Sequence, residues 1–378
     1  MKRSTFLRAA PLIVSMLSDP ARAAETGVTD SSVLLGQTVA MSGPLGEFGR
    51  DIASGAKACL ERINAAGGIH GRKLSLVTLD DQYKTDVAVQ NITRLIQGEK
   101  VFSLLSVMGT AISLEAVRQA EAVGVPLFAP WTGVQVVRQP PRRHVFNVRA
   151  SYKDEILKIV AHLKTIGTRK VAVVFFESSF SNELQSILDE MAHWPAKPVS
   201  ISTIRPDGQD VDRVVNATAK AQPEAIILLT AGKTTVDFIK AYNAPSKGTQ
   251  YYALSIMGTN ASVQALGQDG VGVIVSSVVP FPWASGVPIV KEYQDAMQKI
   301  GVGEFSFTSL ESYINTRVLV EAIRRAGKDL TRAKLVAAAE SMRPLQLGGF
   351  EVGYGTANRS GSRYVDLNII SSGGRFMK

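Results

Sequence analysis

Short apolar runs recur along this chain, spaced so that one helix fits between each pair. This alternation constrains the fold more than any single motif. The runs are Val33–Ala40, Leu74–Leu79, Val101–Val107, Val125–Ala129, Val171–Phe176, Ala225–Thr230 and Val271–Val279. Most are nearly continuous in apolar residues, the pattern of strands buried on both faces of a parallel sheet. Between them the apolar residues take a helical spacing. In Asp51–Asn64, Ile52, Ala56, Cys59, Leu60 and Ile63 share one face, which makes Cys59 a small core residue; Ile156, Ile159, Val160 and Leu163 do the same in Tyr152–Ile166. Gly67, Gly68 and Gly167 stand where such helices stop. A strand–helix series of this kind predicts an α/β fold.

The series runs twice. The first set ends in the Pro- and Arg-rich segment Arg138–Arg143, a second begins after Val145–Ala150, and prolines break the chain again at Val279–Trp283. The 378 residues allow two or three domains at roughly 100–200 residues each. Two lobes that exchange chain at these breaks leave a cleft between them. Ligands of open α/β sheets bind beyond the carboxyl ends of the strands, so the loops there are the candidates.

The first 23 residues read as a secretory signal. Lys2, Arg3 and Arg8 precede the apolar stretch Ala9–Leu17, and Ala21-Arg22-Ala23 offers a small-residue cleavage site. The apolar stretch is too short to cross ~30 Å of hydrocarbon. Removing this segment takes away four cations and Asp19, which lowers the formal charge from +9 to +6. The remaining charge is scattered. Arg142-Arg143 and Arg324-Arg325 are isolated pairs, not a basic stripe, which argues against a nucleic-acid partner. Cys59, the single cysteine, excludes an intramolecular disulfide and a cysteine-built zinc site, and no cysteine lies near the cleavage site to carry a lipid.

Motifs for chemistry are incomplete. Gly232-Lys233-Thr234 looks like the end of a phosphate loop, but Ile227 stands where the first glycine belongs. Gly43, Gly46 and Gly49 are not spaced as a dinucleotide fingerprint. His70, His144, His162 and His193 lack metal-ligand spacing, no nucleophile elbow is present, and Asp80-Asp81 has no partner motif. No enzyme activity, cofactor or metal is expected. What remains are strand-end loops rich in small and hydroxyl residues: Met41–Gly49, Ser106–Thr110 and Ala129–Gly133. Free backbone N–H groups and hydroxyls at helix starts suit an anion such as a carboxylate, although each loop alone also fits an ordinary capped turn.

Several blocks closely resemble the periplasmic branched-chain amino-acid-binding family, the solute-binding proteins of ABC transporters. They are Val39–Leu45 (VAMSGPL), Ile63–Lys73 (INAAGGIHGRK) and Leu79–Tyr83 (LDDQY), followed by Gly124–Pro126, Phe146–Tyr152 (FNVRASY) and Phe307–Tyr313 (FTSLESY). The resemblance spans essentially the whole chain after the signal. It implies two Rossmann-like lobes in the type-I periplasmic binding fold, joined by a three-stranded hinge near Arg149, Phe281 and Arg343. Lobe 1 is then 24–149 plus 283–342, and lobe 2 is 150–282 plus 343–378. It also implies a periplasmic location, a small-molecule ligand, and an ABC permease and ATPase as separate chains. A ligand-sensing receptor coupled to another membrane partner is the alternative role, and a periplasmic enzyme a more distant one.

By the same resemblance, Val107, Met108, Gly109 and Thr110, with Trp131, Thr132 and Gly133, correspond to the loops that hold a ligand carboxylate. Phe48 and, from the second lobe, Phe180 correspond to aromatics that pack on the ligand. The departures matter more. Thr110 is the only hydroxyl left in its turn, Ala231 replaces a tyrosine, and the acid that meets an ammonium falls at about Ile256, between Ser255 and Met257. An ammonium buried without an anionic partner costs several kcal/mol. The expected ligand is therefore a small carboxylate with an apolar or aromatic body and no amine, walled by Phe48, Met108, Trp131, Phe180 and Met257, unless Asp80, Asp81 or Glu177 supplies the missing acid.

Overall fold

The computed structural model describes residues 25–43, 45–176, 184–185, 188–189, 191–192, 198–243 and 248–378. The expected signal segment, Phe180 and Glu177 lie outside the described residues.

Two parallel sheets organise the chain. The first holds β1 (Ser32–Val39), β2 (Lys73–Asp80), β3 (Ser103–Leu105), β4 (Leu127–Phe128) and β5 (Val145–Phe146) in the order β2-β1-β3-β4-β5. The second is built from β6 (Val171–Phe176), β7 (Pro198–Ile204), β8 (Ala225–Leu229), β9 (Gln250–Ala253) and β10 (Ile274–Ser277). These run in parallel as β7-β6-β8-β9-β10, which repeats the order of the first sheet. A short antiparallel pair, β11 (Leu345–Gln346) and β12 (Glu351–Val352), lies apart from both sheets. The chain end then adds β13 (Asp366–Ile370) and β14 (Phe376–Met377) antiparallel to the second sheet's edge. In this strand order the crevice falls where the connections diverge, at the carboxyl ends of the central strands.

The helices α1 (Gly46–Ala65), α2 (Thr85–Thr93) and α3 (Thr110–Val123) flank the first sheet. Those around the second are α4 (Tyr152–Thr165), α5 (Val211–Lys220), α6 (Gly232–Asn243) and α7 (Asn260–Leu266). The chain then returns to the first lobe as α8 (Pro288–Lys299), α9 (Phe307–Ala326) and α10 (Arg332–Glu340). Helix α9 lies against α1, where Ser312 Oγ donates to the Ile52 carbonyl at 2.6 Å. A Cβ on Gly55 would stand 2.0 Å from the Ser309 carbonyl, so only glycine permits this approach.

Strands β3, β4 and β10 are shorter than the apolar runs that announced them. Ser106 (φ 50°) and Ala129 (φ 52°) turn left-handed just past β3 and β4, a conformation uncommon outside glycine, and this ends each ladder at the lip of the crevice. Helix α1 starts at Gly46, earlier than the apolar pattern from Asp51 suggested. Gly46 and Gly49 are therefore helical. Gly49 lies so close to the end of β1 that a Cβ there would be 1.9 Å from the Ala40 carbonyl. Cys59 is fully buried on α1. Among the described residues no helix is long and apolar enough to cross a membrane, and no cluster of metal-ligating side chains forms.

Candidate functional site

The carboxyl ends of the two sheets face one another across a cavity of about 250 Å³. The first lobe supplies Leu45 and Phe48 after β1, Tyr83 and Thr85 after β2, Met108–Ile112 after β3, and Trp131 after β4. Tyr152, the first residue of α4, closes the floor. The second lobe supplies Phe176, Pro206, Ala231 and Ile256, which follow or end β6, β7, β8 and β9. None of these lining side chains is charged.

Each wall has a local cause. The Phe48 ring meets Trp131 edge-on, with centroids 5.4 Å apart. Gly109 caps α3 with φ 99°, and a Cβ there would collide with the Tyr83 ring at 2.8 Å, so glycine lets Tyr83 lie over the loop. The first-turn N–H groups of α3, on Thr110, Ala111 and Ile112, have no intrahelical carbonyl to receive them and sit at the lining. Thr110 Oγ1 pairs with Thr132 Oγ1 at 2.8 Å. Trp131 Nε1 is buried without an acceptor, on a ring that lines the cavity.

The acidic pair after β2 shapes the turn and does not line the cavity. Asp80 accepts from Met41 N, Ser42 Oγ and Gln82 N; burial would raise its carboxyl, but these hydrogen bonds prevail and hold it below the usual range. Asp81 accepts from Thr38 Oγ1 and Tyr83 N, and burial outweighs those bonds, raising its carboxyl. Together they fix Gln82 and Tyr83 at φ 55° and 60°, which delivers the Tyr83 ring to the cavity.

Behind the Trp131–Tyr152 wall lies a buried charge cluster. Arg149, on the first crossover between lobes, sits 4.8 Å from the Trp131 ring centroid and bonds the Ser255 hydroxyl. Its Nη2 is 3.4 Å from Glu155 Oε1, and its Nε is 3.6 Å from Glu311 Oε1. Glu155 Oε2 also accepts from Ser255 N at 2.8 Å and Ser276 Oγ at 2.6 Å. Arg138 donates to the carbonyls of Arg149 and Thr132. At the cavity rim the lobes touch directly. Glu47 on α1 accepts from Ala261 N in α7 at 3.0 Å, and Asn260 Nδ2 reaches the Phe305 carbonyl at 3.4 Å.

Of the residues singled out from the sequence, Phe48, Met108, Gly109, Thr110, Trp131, Ala231 and Ile256 line the cavity. Val107, Thr132, Gly133, Ser255 and Met257 do not. Val107 holds the Trp131 N–H through its carbonyl; Thr132 supports Thr110; Gly133 packs on Tyr152; Ser255 is committed to Glu155 and Arg149; and Met257 is a core residue. Of the expected hinge positions, Arg149 is buried, Phe281 joins Trp283 and Phe307 in an aromatic cluster, and Arg343 is exposed between α10 and β11. Leu45, Tyr83, Thr85, Ala111, Ile112, Tyr152, Phe176 and Pro206 line the cavity without having been assigned a role. Tyr83 and Tyr152 end two of the quoted blocks, and that was the available signal.

The family model described as "Periplasmic binding protein" matches residues 32–374. The Leu/Ile/Val-binding protein homolog 7 of Brucella suis biovar 1 (strain 1330) is 24% identical over 361 residues, covering 90% of this chain and 88% of the relative. A substrate-binding periplasmic protein from Ralstonia solanacearum superposes with TM-score 0.83 at 27% identity, covering 91% of this chain and 99% of the other. An ABC transporter solute-binding protein from R. palustris, solved in complex with benzoate, superposes with TM-score 0.79 at 18% identity, covering 92% and 95%.

Proposed function

Because the chain belongs to the periplasmic binding protein family, we propose that it captures a small amine-free carboxylate with an apolar or aromatic body and delivers it to an ABC permease and its ATPase. The observation that carries this reading is the chemistry of the cavity wall. Five aromatic rings (Phe48, Tyr83, Trp131, Tyr152 and Phe176) and no acidic side chain are among the described lining residues. An α-ammonium has no counter-charge there, and burying it unpaired is unfavourable by several kcal/mol. A carboxylate, by contrast, meets the first-turn N–H groups of α3 and the Thr110 hydroxyl. The benzoate held by the R. palustris protein of the same fold is a ligand of this class.

Binding works by closure. The ligand docks on the first-lobe loops, the three crossovers bend, and the apolar second-lobe wall covers it. Only contacts that exist in the closed form shift the population towards it. Export through the N-terminal segment 1–23 places this cycle in the periplasm, with the membrane partners as separate chains.

Calorimetric titration of the purified protein with benzoate, short fatty acids, leucine, isoleucine and valine tests the reading. The expected result is micromolar affinity for a carboxylate, equivalent to about 8 kcal/mol, with no heat from the amino acids. Micromolar leucine binding would sink it in favour of the amino-acid ligand that the relatives' names suggest, with Glu177 as the remaining candidate acid.

A further inference from the structure

The buried cation behind the aromatic wall carries an inference that rests on the ligand reading above and deepens it. The Arg149 guanidinium stands 4.8 Å from the centroid of Trp131 and 5.7 Å from that of Tyr152, and both rings form cavity wall. Its Nε and Nη1 donate to no acceptor, and Glu311 Oε1 accepts no hydrogen bond. Glu155, by contrast, is saturated by Ser255, Ser276 and Arg149. One carboxylate is therefore committed by geometry, while the other is held by charge alone. We propose that Arg149 is a positioning residue that selects anionic ligands through the rings of Trp131 and Tyr152, and that Glu311 sets how much of its charge reaches the cavity.

Glu311 is faced by Arg149 on the crossover, Glu155 on α4, and Arg138 just past the Gln135–Val137 turn. With both carboxylates ionised, two cations and two anions cancel. With Glu311 protonated, one positive charge remains behind the wall. Burial raises the Glu311 carboxyl to about 7, with Arg149 opposing the rise and Glu155 adding to it. The sign follows by linkage: an anion in the cavity favours the protonated cluster, so anion affinity increases as pH falls through that value. A carboxylate ligand itself protonates only near pH ~4, well below this window. Asp51 on α1, raised by burial to about 6, turns to Ser306 and is a separate group.

The test is the pH dependence of Kd for benzoate and for its neutral isostere benzamide, in the wild type and in Glu311→Gln, between about pH 5.5 and about pH 8.5. The wild type should hold benzoate roughly three- to tenfold more tightly at the acid end. Glu311→Gln should be flat at the tight value, and benzamide flat in both proteins. A benzoate Kd unchanged with pH in the wild type overturns this inference alone. So does a slope that persists in Glu311→Gln, which would move the titration to Asp51 or another group. Failure of both benzoate and the short fatty acids to bind at any pH overturns the ligand reading and this inference together. Thermal melts of the two proteins establish that the substitution leaves the fold intact.

Discussion

The two walls of the cavity are built from the same strand order yet are chemically unlike. The first-lobe wall carries helix-start N–H groups, the Thr110 hydroxyl and most of the aromatic surface. Among the described residues of the second-lobe wall, Phe176, Pro206, Ala231 and Ile256 offer no hydrogen-bonding side chain, and Tyr152 at the start of α4 carries a hydroxyl. Under the proposed reading, one lobe orients the ligand and the other excludes water. On that reading, the asymmetry teaches that ligand class is set on the first lobe by what it donates, and on the second by what its described residues lack.

Three substitutions probe that division. Ile256→Glu puts a carboxylate on the apolar wall and should abolish carboxylate binding, a loss of about 3 kcal/mol or more from an unpaired buried charge beside an anion. Calorimetry should then show leucine gaining measurable affinity; unaltered benzoate binding would mean that Ile256 does not face the ligand. Trp131→Ala removes the central ring of the first wall, its edge contact with Phe48 and its stacking on Arg149. It should weaken carboxylate binding by about 2 kcal/mol, or roughly thirtyfold, with thermal melts checking that the fold persists. Glu47→Ala removes the rim contact to Ala261 and the acidic side chain in the first turn of α1. Its expected cost is about 0.5–1 kcal/mol, read by stopped-flow as faster ligand release with an unchanged association rate. A slower association rate would mean that Glu47 acts on the open form.

Much of this architecture was legible in the residues because burial leaves a periodic trace. Val171–Phe176 reads as a strand and is one, since every side chain but the last is buried. Strand β7 was not anticipated: Pro198–Ile204 alternates polar and apolar residues at a sheet edge, with Val199 and Ile201 exposed, so the continuous-run criterion passes it over. The first-lobe loops were legible as helix starts after strands. Tyr83 was marked only as the end of a quoted block and Pro206 not at all, because they reach the cavity through turns whose geometry depends on hydrogen bonds, such as those from Gln82 and Tyr83 to the Asp80-Asp81 pair. The charge cluster was also hidden. Arg149 and Glu155 lie only six residues apart, but Glu311 comes from distant helix α9, and only the fold brings it to them.

The solitary cysteine has a practical consequence. Cys59 is wholly enclosed in the packing of α1, and burial lifts its thiol far above the ordinary range, so it is neither ionised nor accessible at neutral pH. A dye-bearing maleimide therefore finds a silent background. Cysteines introduced at exposed Lys84 and Lys233, which flank the cavity from opposite lobes, would be the only positions labelled. The fluorophore pair would then convert lobe closure into an optical readout of ligand concentration.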